Sequence, residues 1–274
     1  MIKRILVFFI FLGAHLSTIA QEIQWDDPVK ISIDRITRVS IDNQDNIFVA
    51  TADGDVYQYA AHGAFINNFS PVRQGKIDFI EAAWTVNIFT FSIDMQEYRL
   101  FDRFLNPLSE IALQTKGINL AKAATIGNGN IIWIYDESDF SLKQFDHRRN
   151  QITQQQPLNL ILSNSELNVL EIKEYQNMVF VNIKNEGISI LDNQANLIKT
   201  IPKPFNAINF DKENLIDIRN DSIVYHNFIN DKTTSFNLPE NISNHKIISG
   251  KKNLICYNSD EVLFFQKPTL PINR

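Results

Sequence analysis

Apolar residues in this chain alternate with polar ones or run in fours and fives, bounded by Asn, Asp, Gly and Pro, while helical periodicity is weak. That pattern predicts β-strands joined by tight turns. Its clearest statement runs from Asp42 to Tyr59: a turn, a strand centred on Ile47-Phe-Val49, the turn Asp53-Gly54, and a second strand from Val56 to Tyr59. Weaker copies recur. An Asn opens an apolar strand at Asn46, Asn87, Asn130, Asn177, Asn214 and Asn253, at intervals of 41, 43, 47, 37 and 39 residues.

A second apolar cluster follows each anchor: Val56 to Tyr59, Tyr98 to Phe101, Leu142 to Phe145, Ile188 to Leu191, Ile223 to Tyr225 and Val262 to Phe265. Another precedes each: Val39 to Ile41, Ile77 to Ile80, Ile118 to Leu120, Leu167 to Leu170, Ala207 to Phe210 and Ile247-Ile248. Several units add a fourth strand, such as Phe65 to Phe69, Leu108 to Leu113 or Asn196 to Ile201. Four antiparallel strands in about 40 residues make a propeller blade. The last unit lacks its fourth strand, because Pro268 and Pro271 follow the third and proline fits badly in a paired strand. Pro28 to Ile33 is a strand without a blade of its own. Both facts are met if this N-terminal strand closes blade six, so the expectation is an all-β, six-bladed β-propeller of four-stranded antiparallel blades.

The N-terminus sets a compartment. Met1-Ile-Lys-Arg4 is basic, Ile5 to Leu12 is unbroken apolar, and Thr18 and Ala20 are the small residues a signal peptidase reads. Residues 1–20 are expected to be a signal peptide and 21–274 a single exported domain, periplasmic or secreted. Gln21, not Cys, directly follows the expected cleavage site, which argues against a lipoprotein anchor, and no later apolar stretch approaches a membrane span. A net charge of −5 argues against a nucleic-acid partner. Cys256 stands alone, so no internal disulfide forms, and it reads as a small buried residue. The abundance of Asn, Ile and Lys, with Gln after the cleavage point, resembles exported proteins of Bacteroidota.

Asp42, Asn46-Ile-Phe-Val49, Asp53-Gly54, Val56 and Tyr59 resemble a blade of the six-bladed NHL and calcium-dependent lactonase type. Asp45 replaces the Gly that precedes the Asn in those blades. The resemblance is good over this blade and degenerate over the other five. It implies the propeller fold, and from lactonase-type propellers a calcium ion held near the axis by Glu, Asn and Asp. The matching types here are Asp78, Glu81, Asn119, Asn168 and Asn206. Trp-Asp occurs once, at Trp25-Asp26 ahead of the first blade and not as a repeated blade motif, and kelch double glycines are absent.

Turns between second and third strands share one rim and are acidic: Asp53 and Asp55, Asp94, Asp136 and Asp139, Glu186, Asp221 and Asp260, with Lys184 opposing them. They would attract a basic partner or a cation, although Asp and Asn also simply make good turns. Arg148 and Arg149 form a small basic cluster on the opposite rim, and Trp84, in a turn on that same rim, is a candidate interface anchor. The histidines lack Ser or Asp partners at motif spacing. These readings favour a non-enzymatic scaffold that binds another envelope or secreted protein, with an accessory role in an envelope machine such as type IX secretion as its finest form. The alternatives are a small-ligand or glycan-binding sensor and a calcium-dependent lactonase-like hydrolase.

Overall fold

The computed structural model describes residues 25–73, 75–82, 87–219, 222–239, 242 and 244–267. The expected signal peptide, Trp84 and Asp221 lie outside these residues. Six four-stranded antiparallel sheets form a β-propeller, each sheet ordered from its innermost strand outward. Blade 1 holds Ile36–Ile41, Ile47–Thr51, Val56–Tyr59 and Phe65–Phe69, and blade 2 holds Phe79–Glu81, Ile88–Ser92, Glu97–Phe101 and Pro107–Ala112. Blade 3 comprises Ala121–Ile126, Ile131–Asp136, Ser141–Asp146 and Gln151–Pro157, and blade 4 Val169–Tyr175, Met178–Ile183, Gly187–Leu191 and Leu197–Ile201. Blade 5 comprises Phe210–Asp211, Asn214–Arg219, Ser222–Asn227 and Thr233–Asn237. Blade 6 takes Lys246–Ser249, Asn253–Tyr257 and Glu261–Gln266 and borrows Val29–Ser32 as its outer strand. The expected closure therefore forms, with Val29 opposite Phe264 and Ser32 opposite Glu261.

The core lies between blades. Separate apolar clusters fill the junctions of blades 1 and 2, 4 and 5, 5 and 6, and 6 and 1, while one large cluster runs through blades 2, 3 and 4. Second strands are buried almost throughout because a neighbouring blade covers each of their faces.

The inner strand of blade 3 departs from the expected position. It is Ala121–Ile126, not the Ile118–Leu120 segment, which belongs to the connection entering the blade. Ala121, Ala123 and Ala124 are fully buried where neighbouring blades crowd together, whereas Leu120 is exposed. Small side chains suit that position, and a reading by hydrophobic strength passes over them.

Turn chemistry explains the repeated Asp-x-x-x-Asn phrase. In Asp42/Asn46, Asp102/Asn106 and Asp192/Asn196, one Asp oxygen accepts two backbone N–H groups and the other accepts the Asn amide. The residue before the Asn has positive φ each time: Asp45 at 66°, Leu105 at 60° and Ala195 at 62°. That conformation is why Gly suits this place in the blades that blade 1 resembles. Asp45 puts a carboxylate there instead, and it is buried. Its oxygens accept the N–H groups of Lys251 at 2.7 Å, Lys252 at 2.6 Å and Asn253 at 3.2 Å. The residue that departs from the blade pattern thus clasps blade 6 to blade 1, as a second closure beside the borrowed strand.

Candidate functional site

Polar groups on or beside the inner strands are spent first on joining blades. The Ser40 hydroxyl of blade 1 accepts the N–H of Ala82, which follows the inner strand of blade 2, at 3.0 Å. The amide of Gln96 in blade 2 bonds both the N–H and the C=O of Ala121 in blade 3. Thr125 in blade 3 donates to Glu81 at 2.9 Å and accepts the N–H of Glu174 in blade 4. Glu171 and Lys173 of blade 4 take, respectively, the N–H and the C=O of Ile208 at the entry to blade 5, at 2.7 and 3.1 Å. A hydrogen-bonded chain thus passes from blade 1 to blade 5 around the axis.

On the axis lies a cavity of about 50 Å³, lined among others by Ser40, Glu81, Lys173, Asn209 and Ser249. It has room for a few waters. Burial raises the Glu81 carboxyl to about 7, with the nearby Lys173 ammonium and the Thr125 hydrogen bond only partly offsetting it. Arg38 lies over the Phe79 ring at 5.5 Å and Lys246 over Tyr257 at 5.8 Å. Burial, then the Arg38 charge, holds the Lys246 ammonium below the usual lysine range.

The residues matching a lactonase-type calcium site do not fit that ion. One Asp78 oxygen pairs with Lys76 at 2.6 Å and the other accepts the Ile93 N–H. Asn119 and Asn168 are exposed and precede the inner strands of their blades, and the Asn206 amide bonds Asp217 at 3.1 Å. Glu81 alone of the five lines the axial cavity. Among the described residues no three His, Cys, Asp or Glu side chains are grouped to hold a metal. Calcium wants about six or more converging oxygens.

The acidic turns are less free than their sequence suggests. Lys143, itself buried, joins Asp136 at 2.6 Å and Asp139 at 2.8 Å. Burial alone would raise the Asp136 carboxyl. Hydrogen bonds from Lys143, Ser138 and the N–H groups of Asn119 and Leu120 overcome it and hold the group at about 2. Asp53 pairs with Arg35 at 2.5 Å, and Glu137 with Lys122 at 3.4 Å. Burial, then the Asp55 and Asp53 charges, raises the Tyr57 phenol above its usual range. On the opposite rim Arg148 is exposed and Arg149 turns back to Asp146 at 3.6 Å. Of the remaining candidates, His245 bonds Glu261 at 3.0 Å, and burial pushes the Cys256 thiol up to about 12, which makes it unreactive.

Two surface features went unread in the sequence. Val29, Phe65, Ile66, Phe104 and Leu108 are exposed along the outer strands and turns of blades 6, 1 and 2, Phe65 and Phe104 to 58% and 59%. The three blades adjoin here: Val29 approaches Gly63 of blade 1, and Asn67 donates to the Phe104 carbonyl across the next junction.

The second is a cleft of about 410 Å³ between blades 4 and 5, on the rim of the second-to-third turns. Leu170, Ile183, Pro204 and Phe205 give it apolar walls, and Lys184, Asn206, Asp217 and Arg219 its polar groups. Asp217 is buried and saturated, accepting from the Asn206 amide and N–H, the Ile218 N–H and Arg219. The Arg219 guanidinium lies 4.7 Å from the Phe205 ring centre and donates to the Pro204 carbonyl. Lys184 is exposed and makes no ion pair among the described residues. Alternation could have revealed Glu171 and Lys173, two apart on one strand. No such signal exists for the cleft, whose walls come from four separate segments.

No family model and no curated protein matches the chain. Among solved structures it is similar to the WD40 domain of Pan2 from Neurospora crassa, with a TM-score of 0.61, 9% identity, and coverage of 90% of this chain and 96% of that one. The likeness is one of fold alone. It agrees with the propeller architecture and carries no activity across.

Proposed function

We propose that this protein is a non-enzymatic, exported interaction module: a rigid ring that docks another envelope or secreted protein. The observation that carries the reading is where space and unspent chemistry lie. The axis offers about 50 Å³ beside Ser40, Glu81 and Lys173, which are already bonded to neighbouring blades, whereas the rim offers a cleft of about 410 Å³ whose Lys184 ammonium has no ion pair among the described residues. Enzyme sites and small-ligand pockets in general enclose most of their ligand, and the axial cavity is too small to do so. The exposed apolar strip on blades 6, 1 and 2 fits the same reading, since apolar patches of this kind mark contact surfaces. Residues 1–20 support export by their basic, apolar and small-residue order. An accessory role in an envelope assembly such as type IX secretion is the finer form of the proposal.

The test is a crosslinking pull-down of the tagged protein from its own cells. One partner at stoichiometric yield is expected. A protein recovered alone, together with turnover of a lactone or glycan, overturns the reading.

A further inference from the structure

We infer that the blade 4–blade 5 cleft is the docking site, and that it takes a short extended peptide segment of the partner presenting one carboxylate beside an apolar side chain. The inference rests on the interaction reading above and adds to it a place and a ligand chemistry.

The charge requirement follows from the cleft's own accounting. Asp217 brings the negative charge, but four donors from Asn206, Ile218 and Arg219 already occupy its two oxygens. Its role is to hold Arg219. With its Nε on Asp217, one Nη on the Pro204 carbonyl and its face on Phe205, the guanidinium is fixed, and it retains further N–H donors. Lys184 adds a mobile ammonium from the tight turn that follows the second strand of blade 4. A fixed planar cation and a flexible one facing one space form a carboxylate receptor. In its own turn Lys184 stands beside Glu186, whose carboxylate accepts the Glu166 N–H, so the Lys184 and Arg219 cations are what the cleft presents to an incoming carboxylate.

The apolar requirement follows from the walls. Leu170 is 41% exposed beside Phe205 and Pro204, and an apolar side chain adjoining the carboxylate would cover it. The cleft is open to solvent along the rim. Free small molecules are usually bound with most of their surface buried. An open trough instead suits a segment attached to a larger body that rests on the surrounding turns.

The test places a photo-crosslinking residue at Leu170 or at Asn185 in the full chain, with Phe65 on the outer strip as the comparison position, and maps the linked peptides by mass spectrometry. From the cleft positions the expected linked segment holds an Asp or Glu within about three residues of the link. Its yield should fall at least about five-fold in Lys184→Ala and at raised salt. Yield unchanged by Lys184→Ala, or linked segments lacking a carboxylate, overturns the inference. Links formed at Phe65 and not at the cleft overturn the site and leave the interaction reading intact. Links from no position count against both.

Discussion

Two neighbouring junctions of the ring are built to different ends. Between blades 3 and 4 the contact is hydrogen-bonded at both rims. Tyr135 donates to the Leu167 carbonyl at one end, and at the other Glu174 takes the Trp133 indole N–H at 2.6 Å and the Asn128 N–H at 3.0 Å. Between blades 4 and 5, Tyr175, Phe180, Phe210 and Phe228 fill one end with edge-on and stacked rings, and the other end opens as the cleft. The inner strand of blade 5 is two residues long, where those of blades 3 and 4 have six and seven. A short strand leaves the Pro204 to Asn206 connection to form a wall. The contrast separates polar residues bonded across a junction from polar residues, such as Lys184, exposed in the cleft.

The largest expected effect lies on the closed side. Lys143→Met leaves Asp136 as a buried carboxylate without its cation, and should cost about 3 kcal/mol in urea unfolding at neutral pH. Acid dependence checks the same pair. Because the folded Asp136 carboxyl lies near 2, below its unfolded value, its stabilisation is present above about pH 4 and lost as pH falls towards 2.

Glu81 carries the opposite sign. Its folded value of about 7 lies above the ordinary 4.5, so its stabilisation is full below about pH 4.5 and lost as pH rises through 7. Glu81→Gln should therefore be more stable than wild type at pH 8 by roughly 2–3 kcal/mol, and its melting temperature should lack the decline between those values. A variant with the wild-type pH profile would show that the carboxyl is not held protonated.

Glu174→Gln comes next. It replaces a charged acceptor of the Trp133 and Asn128 N–H groups by a neutral one, at a cost of about 1 kcal/mol in thermal unfolding. The smallest effect belongs to the open junction. Lys184→Ala should change stability by no more than about 0.5 kcal/mol, since the ammonium holds no described partner. A loss as large as that of Glu174→Gln would place Lys184 among the residues that build the ring.

Blade number and closure were legible because Asn anchors, Asp-Gly turns and proline are local signals that survive blade degeneration. The borrowed outer strand followed from one strand in excess at Pro28 to Ile33 and one missing after Phe265. Strand ends within blade 3 were not legible, because alanines chosen to fit a crowded junction look weaker than Ile118 and Leu120. The acidic rim was half legible. Its turns are where the sequence puts them, yet Lys143 neutralises Asp136 and Asp139 from within a strand, and that requires the fold to see. The cleft was invisible: Leu170, Lys184, Phe205 and Arg219 meet only when blades 4 and 5 are set side by side.

The most direct test of this account measures partner capture and melting temperature together in Lys184→Glu and Glu174→Gln. A double dissociation is expected. Lys184→Glu should lose capture at an unchanged melting temperature, and Glu174→Gln should melt lower while capturing normally below its transition. Undiminished capture by Lys184→Glu, or a melting temperature lowered as far as that of Glu174→Gln, would contradict it.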